Sequence, residues 1–138
     1  MSGSLFVVAT PIGNLEDISL RAINTLKEVD IIVAEDTRIT NRLLKKYNIK
    51  KSLTSFHIKN EAQKVDKIIN YLNEGKNVAL VSDAGTPCIS DPGYLLVNKA
   101  SNQKIAVLSI PGPSSPIAAL SISGLPSEKF YFEGFLPK

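Results

Sequence analysis

Short apolar runs without polar alternation recur along the chain and are separated by amphipathic stretches. Strands that helices cover on both faces of a parallel sheet have this pattern, since neither face meets water. The runs are rich in β-branched residues, which favour extended backbone. They predict five strands, at residues 5–9, 31–34, 53–56, 78–81 and 105–108.

The stretches between these runs place apolar residues at helical spacing. In the longest stretch Val65, Ile68, Ile69 and Leu72 share one face, and Gly75 is a helix stop signal. Strands that alternate with helices indicate an α/β domain with a mostly parallel five-stranded sheet flanked by helices and joined by right-handed crossovers. The predicted helices are residues 19–28, 40–47, 60–74, 94–100 and 114–122.

The chain changes character after residue 124. A turn is followed by Phe130, Tyr131 and Phe132, which are typical of another strand. A strand that begins and then meets the end of the chain is unusual in a complete domain. We therefore predict that residues 1–124 form the α/β domain, and that residues 125–138 are a linker and the first strand of a missing C-terminal domain.

Composition narrows the class of protein. Of 138 residues, 43% are hydrophobic and 21% are charged, as in an ordinary globular domain rather than a disordered chain. No apolar run approaches the roughly 18 to 20 residues of a membrane-spanning helix, and the first residues lack the pattern of a signal peptide. With one cysteine, Cys88, and one histidine, His57, we expect no internal disulfide, no metal site, no membrane partner and a cytoplasmic location.

The net charge of +3 is small, but the basic residues are unevenly distributed. Six basic residues and no acidic one lie between positions 38 and 51. Such a segment attracts phosphate by ion pairing and counterion release, whereas the alternative is a solvated helix face that keeps the protein soluble. The six residues are Arg38, Arg42, Lys45, Lys46, Lys50 and Lys51.

Loops rich in Gly and Pro follow three of the predicted strands, at residues 10–14, 82–93 and 111–115. In an open parallel sheet these loops share the carboxyl edge, where ligands bind. Turn residues are needed in such loops anyway, but three of them on one edge favour a small zwitterionic or nucleoside-like ligand. Asp83 can accept hydrogen bonds from an ammonium or a ribose hydroxyl, and a helix start at Ser114 offers free N–H groups to a carboxylate.

Several common catalytic and nucleotide-binding motifs do not occur. The chain has no G-x-x-x-x-G-K-[ST] loop and no G-x-G-x-x-G after the first strand, which argues against a P-loop enzyme and a standard dinucleotide site. It also has no G-x-S-x-G nucleophile elbow. The nucleoside-like ligand would therefore be held by a different set of loops.

Residues 35–38 follow the second strand and should share the same edge. Asp36 is a candidate proton acceptor and Arg38 a candidate orienting or phosphate-binding group. The alternative is that Asp36 caps the next helix and that Arg38 balances its charge. His57 follows the third strand and is a candidate general base. The alternative, favoured because it has no identifiable partner, is a structural or solvent-facing histidine.

Four linked motifs in this order resemble the tetrapyrrole methylase superfamily, and within it the ribosomal RNA small-subunit methyltransferase I subfamily. The similarity runs from about Leu5 to the last residue. The motifs are Thr10-Pro11-Ile12-Gly13-Asn14, Glu35-Asp36-Thr37-Arg38, Ser82-Asp83-Ala84-Gly85-Thr86-Pro87 and Pro111-Gly112-Pro113-Ser114-Ser115.

The resemblance implies an S-adenosylmethionine-dependent enzyme that methylates the ribose 2′-hydroxyl of a cytidine in small-subunit ribosomal RNA. It implies two α/β domains with the cofactor between them, and a homodimer. Since a second domain is missing after Lys138, we expect this chain alone to have little or no activity. The motifs assign cofactor contacts to Pro11, Ile12, Gly13, Asp83, Gly85, Thr86, Ser114 and Ser115.

The charged residues noted above are candidates for roles in such a reaction. Asp36 and Arg38 are the candidate catalytic residues, and no metal is required. Two alternatives stay open: a methyltransferase of the same superfamily that acts on a tetrapyrrole or another small molecule, and a non-catalytic domain that binds S-adenosylmethionine. The expected RNA contacts are Arg38, Arg42, Lys45 and Lys46.

Overall fold

The computed structural model describes residues 1–138, in which strands and helices alternate along the chain. The predicted α/β class and the five central strands are confirmed. The longest helix has 13 residues, and no helix combines the length and apolar character that crossing a membrane requires. The elements are β1 (Leu5–Val8), α1 (Leu20–Glu28), β2 (Ile31–Ala34), α2 (Thr37–Lys46), β3 (Leu53–Ser55), α3 (Glu61–Asn73), β4 (Val78–Val81), α4 (Tyr94–Asn102), β5 (Val107–Ile110) and α5 (Ser115–Ile122).

All five strands pair in parallel, in the order β3-β2-β4-β1-β5. Leu5 of β1 lies beside Val78 of β4 on one side and Val107 of β5 on the other. The carboxyl ends of the strands therefore meet at one edge, as the sequence pattern predicts. The order itself depends on contacts between distant segments and could not be predicted.

The sheet is covered on both faces. Val78 and Leu80 of β4 belong to a buried cluster with α3 and α4, whereas Ala79 and Val81 belong to a second cluster with α1 and α2. Each cluster has 12 buried residues, so the two faces of the sheet are covered equally. This explains why β4 is apolar at every position rather than at alternate ones.

The fifth strand begins two residues later than predicted. Lys104 has a left-handed backbone with φ of 58°, and Ile105 donates its N–H to the carbonyl of Ala100 at 3.0 Å. Residues 104 and 105 thus complete the end of α4, and Ile105 fills the core from there. The apolar run marked the buried segment correctly but not the start of the hydrogen-bonded strand.

The last helix and the tail differ from the rest of the chain. No residue of α5 is buried, although its sequence is apolar. The strand predicted at Phe130, Tyr131 and Phe132 is not formed: residues 126–138 take part in no hydrogen bond between backbone groups. A strand is stable only beside a partner strand, and this segment has none here. The assignment of residues 125–138 to a second domain stays a prediction.

Candidate functional site

Three loops from distant parts of the chain meet at the carboxyl ends of the central strands. Thr10, after β1, and Gly85, after β4, form two backbone hydrogen bonds of 3.0 Å each with one another. On the other side Thr86 Oγ1 donates to the carbonyl of Pro113, after β5, at 3.3 Å. The loops at residues 10–14, 82–93 and 111–115 are therefore joined directly to one another.

Gly85 lies at the centre of this junction. Its φ of +80° is in the left-handed region that favours glycine. A Cβ at this position would lie 3.4 Å from Ile12 Cγ2 and 3.7 Å from the carbonyl oxygen of Pro113. The glycine thus lets two other loops approach the end of β4, which explains why this loop needs that residue.

A cavity of about 460 Å³ opens beside this junction, and its size is that of a pocket for a small organic ligand. Apolar and aromatic side chains from the tail form part of its wall, and hydroxyl groups and a carboxylate form another part. Four of the predicted cofactor-binding residues line it. The lining residues are Ala84, Gly85, Thr86, Ile89, Ser90, Asp91, Ser114, Ser115, Pro116, Phe132, Gly134 and Phe135.

The other predicted cofactor-binding residues lie behind this wall or away from it. Ile12 contacts the space beside Gly85, but Pro11 is buried and lines a separate small cavity of about 40 Å³ together with Asp83. Gly13 is exposed with a φ of +150°. In this chain the first loop therefore supports the large cavity rather than lining it.

The start of α5 leaves polar groups without intramolecular partners. The Ser114 side chain precedes the helix but makes no capping hydrogen bond, and Pro116 has no N–H to donate. The N–H groups of Ser115 and Ile117 have no backbone acceptor, whereas Ala118 donates to the carbonyl of Ser114 at 2.9 Å. Free N–H groups at a helix N-terminus favour an anionic group, such as the carboxylate of an amino acid.

The Asp36 carboxylate is occupied by structural contacts. It accepts the backbone N–H of Arg38 at 2.9 Å, and it pairs with the guanidinium of Arg38 at 2.7 and 3.1 Å. These hydrogen bonds and the charge of Arg38 lower the pKa of Asp36 to about 2, so that it is a weak base. The geometry therefore favours the helix-cap interpretation, and the catalytic roles of Asp36 and Arg38 stay untested predictions.

Asp83 holds the loop after β2 to the loop after β4. Its Oδ1 accepts the backbone N–H of Asp36 at 2.9 Å. The carboxylate predicted to bind the cofactor is thus used in part to fix the position of residues 35 and 36. Helix α2 begins three residues earlier than predicted, because Asp36 caps it.

A second cavity, of about 350 Å³, lies at the ends of β2 and β3. Glu35, His57, Ile58 and Lys59 line it. Burial raises the pKa of Glu35, and the nearby Asp83 and other carboxylates raise it further. The sequence analysis did not single out Glu35, although its position at the end of a buried strand was a signal.

Glu61 is a buried carboxylate that the sequence analysis did not single out. It is buried in the first turn of α3, and its Oε1 accepts the N–H of Gly93 at 3.0 Å and that of Leu95 at 3.2 Å. It thereby caps α4 from another helix and fixes the end of the loop at residues 82–93, which forms one wall of the large cavity. Burial raises the pKa of the neighbouring Cys88 to about 11, which keeps this thiol protonated at neutral pH.

The predicted RNA-binding residues share the solvent side of α2. Arg38, Arg42, Lys45 and Lys46 are exposed, whereas Leu43 and its buried neighbours face the sheet. Only Arg38 has a carboxylate within ion-pair distance. The remaining charges on this face are available to an anionic partner.

No group of three or more His, Cys, Asp or Glu side chains is arranged to hold a metal ion. The geometry is that of an α/β domain with a cavity of ligand size at the carboxyl edge of a parallel sheet. The model of the family Tetrapyrrole (Corrin/Porphyrin) Methylases matches residues 4–136, and the chain belongs to this family. The resemblance drawn from the four motifs is thereby confirmed.

Within this family, some relatives have sequences that are more than half identical to this chain. The chain is 56% identical over 136 residues to "Ribosomal RNA small subunit methyltransferase I" of Thermotoga maritima, covering 99% of this chain and 61% of the relative. It is 53% identical over 135 residues to the protein of the same name from Escherichia coli O157:H7, covering 98% and 47%. The chain thus spans about half the length of the curated relatives that it matches.

A solved structure supports the fold independently. The crystal structure of uroporphyrin-III-C-methyltransferase from Thermus thermophilus superposes with a TM-score of 0.70 at 24% sequence identity. The match covers 91% of this chain and 55% of that protein. At this identity the similarity establishes the α/β architecture and not the substrate.

Proposed function

We propose that this chain is the cofactor-binding part of an enzyme that transfers a methyl group from S-adenosylmethionine to the ribose 2′-hydroxyl of a cytidine in small-subunit ribosomal RNA. The observation that carries the proposal is the junction of three loops at Gly85, which forms the 460 Å³ cavity. Relatives that are 50–56% identical carry the name of a small-subunit ribosomal RNA methyltransferase.

The residues of the cavity fit the chemical groups of S-adenosylmethionine. The free N–H group of Ser115 suits its carboxylate, and the Asp91 carboxylate suits an ammonium or a ribose hydroxyl. Phe132 and Phe135 provide apolar surface for an adenine ring. The cavity therefore combines anion-binding, cation-binding and apolar walls, as a zwitterionic nucleoside requires.

When bound, this cofactor supplies a methyl group that is already activated by a sulfonium charge. The protein then has to hold the methyl group and the acceptor oxygen in line and exclude water, and such alignment is a major source of rate enhancement. The hydrogen bonds between the loops at Thr10, Gly85 and Thr86 give this edge a fixed shape. No residue of the chain has to form a covalent bond.

The basic face of α2 is proposed to bind the RNA backbone. Arg42, Lys45 and Lys46 point to solvent without carboxylate partners, so their charges can pair with phosphates. Such contacts release counterions and make the affinity dependent on salt. Arg38 lies at the end of this face that is nearest to the carboxyl edge of the sheet.

We further propose a homodimer in the cytoplasm, where ribosomal RNA is modified. Helix α5 supports association with further polypeptide, because it is apolar and leaves Ile117 and Ile122 exposed. Light scattering of the longest natural form of the protein tests this point. A mass of two chains is expected, and a monomer at micromolar concentration would contradict it.

The test of the proposed function is methyl transfer by the longest natural form of the protein. Purified small ribosomal subunits and a porphyrinoid are each incubated with labelled S-adenosylmethionine, and mass spectrometry locates the methyl group. We expect one 2′-O-methylcytidine in the RNA and no transfer to the porphyrinoid. Transfer to the porphyrinoid alone would favour the small-molecule alternative, and cofactor binding without any transfer would favour a non-catalytic binding domain.

A further inference from the structure

The second cavity brings together two polar side chains from neighbouring strands. Glu35 follows the last residue of β2, and His57 lies two residues after β3. Because β2 and β3 are parallel neighbours in which Ala34 lies beside Ser55, both side chains reach the same edge of the sheet. With Ile58 and Lys59 they line a space of about 350 Å³ that opens to solvent.

A hydrogen bond connects the loop that borders this cavity with the loop that borders the cofactor cavity. Asp83 accepts the N–H of Asp36, next to Glu35, and the following residue, Ala84, lines the cofactor cavity. Asp91 lines the cofactor cavity as well, and its charge acts on Glu35. Glu35 thus borders the second cavity, and Asp36 beside it is hydrogen-bonded to the loop that borders the cofactor cavity.

Glu35 and Asp36 differ in what surrounds their carboxylates. Asp36 is held by Arg38, whereas no Lys or Arg lies within ion-pair distance of Glu35. Three carboxylates face Glu35, those of Asp36, Asp83 and Asp91, and His57 and Lys59 lie across the cavity. Burial raises the pKa of Glu35, and the charges of Asp83 and Asp91 add to the effect, while a hydrogen bond from the Asp83 backbone opposes it. The net rise in pKa makes this carboxylate a stronger base.

Asn60 contacts both the backbone and the ring of His57 and holds the ring in place. Asn60 Oδ1 accepts the backbone N–H of His57 at 2.8 Å, so the Nδ2 group is the part of the amide that faces the ring. It lies 3.1 Å from His57 Nε2, which must then accept a hydrogen bond. Because Asn60 occupies Nε2, Nδ1 is the ring nitrogen that is left for a hydrogen bond with a group bound in the cavity.

We propose that this second cavity receives the acceptor nucleotide, and that Glu35 rather than Asp36 takes the proton of its ribose hydroxyl during methyl transfer. The inference rests on the proposed function. His57 and Lys59 supply a hydrogen-bonding ring nitrogen and a positive charge, which suit the polar edge and the phosphate of a nucleotide. Ile58, with 75% of its surface exposed, offers apolar contact to a base or sugar.

The proposed step is balanced in atoms and electrons. The O–H bond of the ribose breaks and its proton moves to a carboxylate oxygen of Glu35. The electron pair of the ribose oxygen forms the new bond to the methyl carbon, and the pair of the broken carbon–sulfur bond stays on sulfur. The products are a 2′-O-methyl ribose and a neutral thioether, and Glu35 afterwards loses its proton to water.

The experiment measures single-turnover methyl transfer to small ribosomal subunits by the longest natural form of the protein. Glu35→Gln is compared with Glu35→Asp and with the matched control Glu28→Gln, which makes the same change on the exposed side of α1. We expect Glu35→Gln to lower the rate by about 100-fold or more with an unchanged Kd for S-adenosylmethionine. Glu35→Asp should restore part of the rate.

The dependence of the methyl-transfer rate on pH distinguishes a catalytic base from a residue that only supports the structure. The rate of the wild type should rise with pH and level off above the pKa of Glu35, because only the carboxylate form accepts the proton. Glu35→Gln should lose this rise. If circular dichroism shows that Glu35→Gln folds poorly, the test uses Glu35→Asp instead. The rise of its rate should then occur at a different pH from that of the wild type, and a rise at the same pH overturns the proposal.

A second variant tests the cavity as the nucleotide site. His57→Gln should raise the KM for the RNA several-fold and change kcat less, since His57 binds but takes no proton. A wild-type rate in Glu35→Gln, or an unchanged KM in His57→Gln, would overturn the corresponding part of the proposal. Failure of the proposed function is distinguishable, because the wild type itself would then transfer no methyl group to the RNA.

Discussion

The starts of α2 and α5 lie at the same edge of the sheet but differ in how their polar groups are used. At α2, the Asp36 carboxylate caps the helix and pairs with Arg38, so the exposed groups satisfy one another. At α5, Ser114 makes no cap, and the N–H groups of Ser115 and Ile117 have no acceptor. Similar residue types thus stabilise the fold at one place and remain available to a ligand at the other.

This difference shows how a helix start that stabilises the fold can be distinguished from one that is available to a ligand. A loop whose hydrogen-bonding groups are paired within the chain gains stability from them. A loop whose groups face an open cavity without partners has the donors and acceptors that a ligand needs. The two motifs look equally rich in chemistry in the sequence, and only the pairing of their groups separates them.

The largest expected effect concerns a third helix start, that of α4. Glu61→Ala removes the buried carboxylate that accepts the N–H groups of Gly93 and Leu95, and leaves both without a partner. We expect the free energy of unfolding to fall by about 2–3 kcal/mol in urea denaturation. Glu61→Gln keeps one acceptor oxygen and should lose less. Equal losses in the two variants would show that the hydrogen bonds contribute little.

The same contrast occurs within α2, where Arg38 is paired with a carboxylate and Lys45 and Lys46 are not. The double variant Lys45→Glu/Lys46→Glu should weaken RNA affinity by about tenfold or more at low salt, and the loss should shrink as salt is added. Filter binding with small-subunit RNA checks this. Lys67→Glu, on α3 across the sheet, is the control. Equal losses from Lys67→Glu and from the double variant would argue against a specific basic face.

The comparison itself is tested by two alanine variants. Asp36→Ala should lower the free energy of unfolding, because α2 loses its N-cap. Ser114→Ala should leave stability nearly unchanged, since its hydroxyl caps nothing, but should raise the Kd for S-adenosylmethionine measured by calorimetry. The reverse pattern, with Ser114→Ala destabilising and Asp36→Ala neutral, would refute the contrast.

The smallest effect is a dependence of stability on acid. Arg38 lowers the folded-state pKa of Asp36 to about 2, below its ordinary value of 3.8. Asp36 therefore contributes stability above its ordinary pKa, and this contribution is lost as the pH falls from about 4 through about 2. Thermal unfolding of the wild type and of Asp36→Asn should converge in this range. Parallel curves down to the lowest pH would contradict the assigned ion pair.

Much of the fold follows from local patterns. The apolar runs located the five central strands because strands buried on both faces have few polar positions. The largest shift among them is at β5, which begins and ends two residues later than predicted, since Ile105 is core but not strand. Strand order and the uncovered α5 depend on contacts between distant segments, which no local pattern records. The strand expected at Phe130 is not formed, because no other segment of the chain pairs with it.

The candidate site was predictable in part. Gly and Pro marked the loops that meet at Gly85, because close approach of backbones requires such residues. The roles of Glu61 and Asp83 were not visible, since their partners lie 32 and 47 residues away in the sequence. The sequence analysis chose Asp36 rather than Glu35 as the candidate base. The pKa values of the two carboxylates shift in opposite directions because Glu35 is partly buried and Arg38 pairs with Asp36.

The most direct test of the central claim is a titration of S-adenosylmethionine followed through backbone amide chemical shifts in the longest natural form of the protein. The account predicts shifts at Gly85, Thr86 and Ser115, and none at Arg38, whose amide is already bound to Asp36. Shifts at Arg38 with none at Ser115 would contradict it.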